Sequence, residues 1–218
     1  MRTIFLLLLL LLTPDLVSAA PSGSALDALK HLPRGQAKWV ARMEAREGTP
    51  APERWHILVY DPQVPTGVRE YVVAGREVIA SRTLSQFASK LTREEVIGNQ
   101  PIRFNSDRAA SLLQQYALAN NVTVASINYG LRKDGPDAAA LWHVTALDEA
   151  GNELGTVVIG AAKGTVISHA GFEVAPGRGN IKKGMFITQS APQLSGEKRP
   201  GFFQRLGRSI AKLFGRRN

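Results

Sequence analysis

The chain contains no cysteine among its 218 residues. That excludes a disulfide framework, a thiolate metal site, a cysteine nucleophile and a lipid-modified cysteine, and it leaves a hydrophobic core as the source of stability. Aromatic residues make up only 7% of the sequence, and histidine occurs four times, at 31, 56, 143 and 169. None of the four falls in a His-x-x-x-His pair or beside a carboxylate cluster at ligand spacing, and neither G-x-S-x-G nor H-E-x-x-H occurs. GTVVIGAAKGT, residues 155–165, has glycines and a lysine but lacks the strand–turn–helix order and the Gly-Lys-Ser/Thr sequence of a phosphate loop. No catalytic, metal-binding or cofactor-binding residue is therefore assigned, and no cofactor is expected.

Long apolar runs are missing too, except at the start. Arg2 is followed by an unbroken run from Ile4 to Leu12 and then by the small residues Val17-Ser18-Ala19. The run is shorter than the roughly 20 residues that cross a bilayer. It reads as a secretory signal over 1–19 with Ala20 as the first mature residue, so the protein is expected to be secreted or periplasmic; the alternative is an uncleaved anchor or a buried helix. Asn121-Val122-Thr123 is a glycosylation sequon, relevant only in a source that glycosylates. The bulk of the chain also lacks net charge. From residue 176 onward 10 Lys or Arg face a single Glu, whereas residues 1–175 carry 17 basic and 17 acidic side chains, so the formal charge of +9 belongs to the C-terminal end.

What the sequence does have is an internal repeat. WHILVYD, Trp55 to Asp61, is followed by a turn-rich loop and YVVAGREVIAS, Tyr71 to Ser81; WHVTALD, Trp142 to Asp148, is followed by EAGNEL and TVVIGAAKGTVIS, Thr156 to Ser168. Trp55 to Val78 spans 23 residues and Trp142 to Val166 spans 24. Each copy reads as a meander of short antiparallel strands: Trp142, Val144 and Ala146 alternate with His143, Thr145 and Leu147, and turn chemistry lies at Asp148–Asn152 and Ala162-Lys163-Gly164. VTVASINYGLR, Val122 to Arg132, is a further strand. Ahead of the second meander, Ser106 is expected to cap a helix whose apolar stripe is Ala109, Leu112, Leu113, Tyr116 and Ala117. Ahead of the first, ALDALKHL and QAKWVARMEARE read as two helices broken at Pro33 and Gly35, and Leu84 to Asn99 also reads as helical, with Thr92 and Glu95 spaced as a capping box.

The segment from Ser106 to Phe172 resembles a PepSY domain: a capped helix, a strand, then LWHVTALDEAGNELGTVVIGAAKGTVISH with its aromatic-led alternating strand, Asp/Gly turn, apolar strand and short turn ending in Gly164. It departs from that family's pattern at Gly160, where an Asp is common. A more degenerate copy covers 36–82. The resemblance implies small α+β units in exported or membrane-associated bacterial proteins that bind or restrain peptidases, paired much as in beta-lactamase inhibitory protein, and it brings no catalytic residues. The expected fold is thus α+β: two related units, each a helix packed on an antiparallel sheet, plus a C-terminal amphipathic helix. The expected order is signal 1–19, degenerate unit 20–99, PepSY-like unit 100–174, linker 175–200 and basic tail 201–218.

The tail carries the sharper functional expectation. On a helix, Phe202, Phe203, Leu206, Ile210, Leu213 and Phe214 fill one arc of about 120°, with Arg205, Arg208, Lys212 and Arg216 gathered opposite. That pattern suits the interface of an anionic membrane or envelope surface; docking on the protein itself or on a protein partner is the alternative, and nucleic acid ranks last. Gly207 and Gly215 lower its intrinsic helicity. Trp55 and Trp142 are core anchors first and candidate walls of a ligand groove second. His56 and His143, each next to its Trp, should share the face opposite it. Taken together, the sequence points to an exported, non-enzymatic binding or regulatory protein with a peptide or peptidase as partner. The rivals are an enzyme using His56, His143, Asp61 and Asp148, or a structural envelope component.

Overall fold

A computed structural model describes residues 23–85 and 90–177. The expected signal segment 1–19, the expected tail 201–218 and most of the expected linker before it lie outside the described residues. Within them the chain is α+β: one eight-stranded antiparallel sheet, with two α-helices among the described residues. Helix α1 (Ala25–Lys30) precedes strands β1 (Val40–Gly48), β2 (Arg54–Tyr60), β3 (Val68–Ala74) and β4 (Glu77–Thr83). Helix α2 (Ser106–Ala119) precedes β5 (Ser126–Lys133), β6 (Ala140–Leu147), β7 (Glu153–Gly160) and β8 (Val166–Ala170).

The strand order β4-β3-β2-β1-β5-β6-β7-β8 joins two four-strand meanders through the antiparallel pair β1·β5, where Glu44 lies opposite Gly130. The two halves correspond strand for strand. His56 pairs with Glu44 as His143 pairs with Gly130, and Trp55 pairs with Val73 as Trp142 pairs with Ile159. Even the irregularities match. Each outer strand carries one extra residue against its neighbour, Ile79 between Val78 and Ala80, and Ile167 between Val166 and Ser168. A bulge at each edge twists the exposed strand and disrupts the flat ladder that invites uncontrolled pairing.

Period-2 alternation decides which side chains reach the core. Trp55, Ile57 and Val59 of β2, Met43 and Ala45 of β1, Ile127, Tyr129 and Leu131 of β5, and Trp142, Val144 and Ala146 of β6 share the inner face. Helix α2 lies over β6 and β7 on that face and buries Ala109, Ala110, Leu113, Tyr116 and Ala117, while the short α1 adds Ala25 and Ala28. Ala109, Leu113, Tyr116 and Ala117 of the expected stripe are thus buried, Leu112 is partly buried at its margin, and Ala110 joins them. The N-cap of α2 is Asn105 rather than Ser106, and the reason is tertiary. Asn105 Oδ1 accepts from Ser106 N at 2.8 Å and from Leu26 N at 3.2 Å, and Ser106 Oγ accepts from Ala25 N at 3.0 Å. Two residues at the start of α2 thus satisfy free N–H groups at the start of α1.

The expected second helix at QAKWVARMEARE is instead a single 3-10 turn, Ala37–Trp39, followed by strand β1. Ala, Arg, Met and Glu favour helix only by tenths of a kcal/mol per residue, and a strand paired on both sides with a buried inner face outweighs that preference. The connection after β4 is likewise not a long helix among its described residues; it holds one 3-10 turn, Arg93–Glu95, closed by the expected Thr92/Glu95 capping box. This connection straps the outer face. Leu91 packs there with Ala41, Leu58 and Val68, and the chain then rounds the end of β1, where Ile97 N and Gly98 N both donate to Val40 O.

Candidate functional site

Trp55 and Trp142 are each 0% exposed, so neither lines a groove among the described residues; the ligand-groove expectation gives way to core packing. Their rings meet edge to face at 6.3 Å, and Trp55 also tilts against Tyr129 at 5.7 Å. Burying one such ring removes roughly 150–250 Å² from water, and each aromatic pair adds about 0.5–1.5 kcal/mol. Both indoles are satisfied in the same way. Trp55 Nε1–H donates to Gly23 O at 3.0 Å and Trp142 Nε1–H donates to Phe104 O at 2.7 Å, in each case the carbonyl just ahead of a helix N-cap. Gly164 completes the second of these anchors: its φ is +72°, and a Cβ there would collide with the Phe104 ring at 2.3 Å. Only glycine satisfies both conditions.

The histidines do face the other way. His56, Glu44, Gly130 and His143 form one cross-strand row on the outer face, centred on β1·β5. Their surroundings are not copies. His56 Nδ1 lies 2.7 Å from Glu70 Oε1, and Arg82 Nε donates to Glu70 Oε2, so both oxygens of that buried carboxylate are taken. Burial pulls the Glu70 carboxyl upward, but the hydrogen bonds from His56 and Arg82 outweigh it and hold the pKa below its ordinary value. The position equivalent to Glu70 is Thr156, which bonds Thr145 at 2.8 Å instead.

His143 sits beside Arg132 and Asp134. Its Nε2 is 3.1 Å from Asp134 Oδ1, within ion-pair range, and it is buried with no other partner. Burial, reinforced by Arg132 and opposed by Asp134, holds the imidazole below its ordinary pKa. Glu44, between the two histidines, is pushed up by burial against the pull of Arg42, Arg46, Arg132 and His56.

The carboxylates proposed to join the histidines in an enzyme are engaged elsewhere. Asp61 accepts from Arg69 Nε at 2.9 Å beyond the end of β2. Asp148 closes its own turn, accepting from Ala150 N, Asn152 N and Asn152 Nδ2, and the Asn152 side chain and backbone hold its carboxyl below the usual range. His31 is the C-cap of α1, and His169 tilts against Tyr116 at 5.1 Å. Among the described residues no three His, Asp or Glu side chains are placed to hold a metal ion, and no helix is long and apolar enough to cross a membrane.

Three features escape a reading of the sequence. One is the Arg82–Glu70–His56 chain, whose members come from three strands; the alternation of β3 places Glu70 on the outer face, but only the pairing register brings Arg82 and His56 to it. The second is the exposed edge β8. The third is a cleft beside Trp39 and Lys133, built by the strap and the β5–β6 turn. Phe202, Phe203, Arg205, Leu206, Arg208, Ile210, Lys212, Leu213, Phe214 and Arg216, the residues expected to meet a membrane or envelope surface, lie outside the described residues. No family model, no curated protein and no solved structure matches the chain.

Proposed function

We propose that the protein is an exported, non-enzymatic binding or regulatory protein. In this reading two PepSY-like helix-and-sheet units are fused edge to edge through β1 and β5. They hold a peptide, or an extended loop of a peptidase, and the basic amphipathic tail keeps the assembly at an anionic membrane or envelope surface.

The observation that carries the reading is the edge strand β8. Its sequence, Val-Ile-Ser-His-Ala, contains no charged residue and no proline, four of its five residues are exposed, and Ile167 is 52% exposed. Sheet edges are ordinarily blunted by lysine, proline or an inward charge. The opposite edge, β4, follows that rule with Glu77 and Arg82; β8 keeps only its bulge. An uncharged edge offering backbone donors, acceptors and one aliphatic side chain suits recognition by strand addition, in which main-chain hydrogen bonds give affinity and alternate side chains give selectivity.

The test is selection from a random-peptide display library with the full chain as bait. Extended peptides with alternating apolar residues should be enriched, and their binding should protect β7 and β8 amides from exchange and be lost in Ile167→Lys. Enriched peptides that bind Ile167→Lys equally well would remove the edge from the account.

A further inference from the structure

Beside the outer face lies a cleft of about 310 Å³. Trp39, from the 3-10 turn ahead of β1, forms one wall; Arg93 and Glu94 of the strap, Lys133 at the end of β5 and Asp137 of the following turn form the others, with Lys38 at the rim. Trp39 is half-buried, whereas Trp55 and Trp142, the other tryptophans, are fully buried. Lys38 Nζ and the Arg93 guanidinium each sit 5.5 Å from the Trp39 ring centroid, within the range of about 6 Å for a cation over an aromatic face. Lys133 Nζ donates to the backbone carbonyl of Glu94 at 2.5 Å. Among the described residues none of these three cations is ion-paired with a carboxylate, although most other ionic contacts of the outer face are closed.

The arrangement holds cations in place around an aromatic wall and leaves one positive charge in excess over the two carboxylates that line it. We propose that this cleft is a second binding site, separate from the β8 edge, and that it receives carboxylate side chains of an acidic peptide segment. Three lining cations outnumber two lining carboxylates, so the cleft favours an anion. Glu94 and Asp137 are interspersed among the cations and oppose a compact polyanion such as a phosphate cluster, whereas a peptide brings backbone N–H groups that such carboxylates accept. Size agrees: small-molecule sites run from about 300 to 1,000 Å³, and a cleft at the lower limit takes one or two side chains of a longer chain rather than a nucleotide cofactor. Trp39 covers the aliphatic part of the entering side chain.

Trp39 is also the reporter, because it is the tryptophan that solvent quenchers reach. A short glutamate-rich peptide titrated into the full chain should shield Trp39 from acrylamide, with a matched glutamine-for-glutamate peptide inactive. Arg93→Glu should weaken the shielding about tenfold and added salt should weaken it further. Should Arg93→Glu disturb the fold, Lys38→Gln at the exposed rim gives the same readout in smaller measure. The basic tail also attracts acidic peptides, and the quenching separates the two: a peptide that binds while leaving acrylamide quenching unchanged occupies the tail and overturns the proposal. So does an absence of binding, or a single-stranded oligonucleotide that shields Trp39 better than the peptide. Ile167→Lys should not affect this binding, so the edge strand and the cleft stand or fall separately.

Discussion

At the scale of single residues, the repeated Trp-His pair is equivalent in position and divergent in chemistry. Trp55 and Trp142 perform one task twice, each tying the sheet to the backbone ahead of a helix. His56 and His143 perform different ones. Because burial and Arg132 lower the folded pKa of His143, its contribution to stability is complete above the ordinary value of 6.5 and is lost as pH falls through the lowered folded value. Glu70, also lowered, adds a second loss that begins only near its ordinary 4.5. Denaturant midpoints measured as a function of pH should therefore show a His143 loss and a Glu70 loss, set against a gain from Glu44, whose raised carboxyl takes up its proton above the ordinary 4.5 and stabilises the fold as pH falls through that window. His143→Gln should flatten the upper of the two losses, below about pH 6.5, and spare the lower one; an unchanged upper slope would show that His143 is not its source. This asymmetry was hidden in the sequence, where the two histidines occupy equivalent places. Thr156 standing where Glu70 stands is decided by register, not by any motif.

Elements were legible to different degrees, for physical reasons. Helix α2 and strands β2, β3, β6 and β7 follow from periodicity, because each has one apolar stripe or face that a single element can declare. Strand β1 was not legible: after Val40, Ala-Arg-Met-Glu-Ala-Arg-Glu consists of good helix formers, and only pairing with both β2 and β5 makes it a strand. The cap of α2 shows the same dependence on distant partners. The spacing points to Ser106 as the cap, whereas Asn105 takes that place and both residues are engaged by α1, whose first N–H groups they satisfy. Asn105→Ala should consequently cost about 1–2 kcal/mol in chemical denaturation, the effect of a lost cap. A serine in place of Asn105 could cap α2, but its shorter side chain should not also reach Leu26 N. Asn105→Ser is thus expected to recover only part of the loss, and full recovery would argue against the shared cap.

For the whole molecule, the repeat becomes a single sheet because β1 and β5 pair across Glu44 and Gly130, burying two Trp rings against each other at the centre. The repeat made two related meanders legible; it did not reveal that they share one continuous sheet, since the joining pair lies in strands whose sequences are unlike. The charge distribution supports the division of labour proposed for the chain. Residues 1–175 are neutral and hold the sheet, while the excess of +9 lies beyond them. In that proposal a neutral binding body carries a basic amphipathic tail, and the tail is expected to contribute attachment without contributing to the fold. Flotation with anionic phospholipid vesicles tests it most directly, comparing the full chain with a chain ending at Pro200. At moderate salt the full chain should float with the vesicles and the shortened chain should remain in solution with an unchanged thermal unfolding transition. A shortened chain that still floats, or that has lost its unfolding transition, would contradict the account.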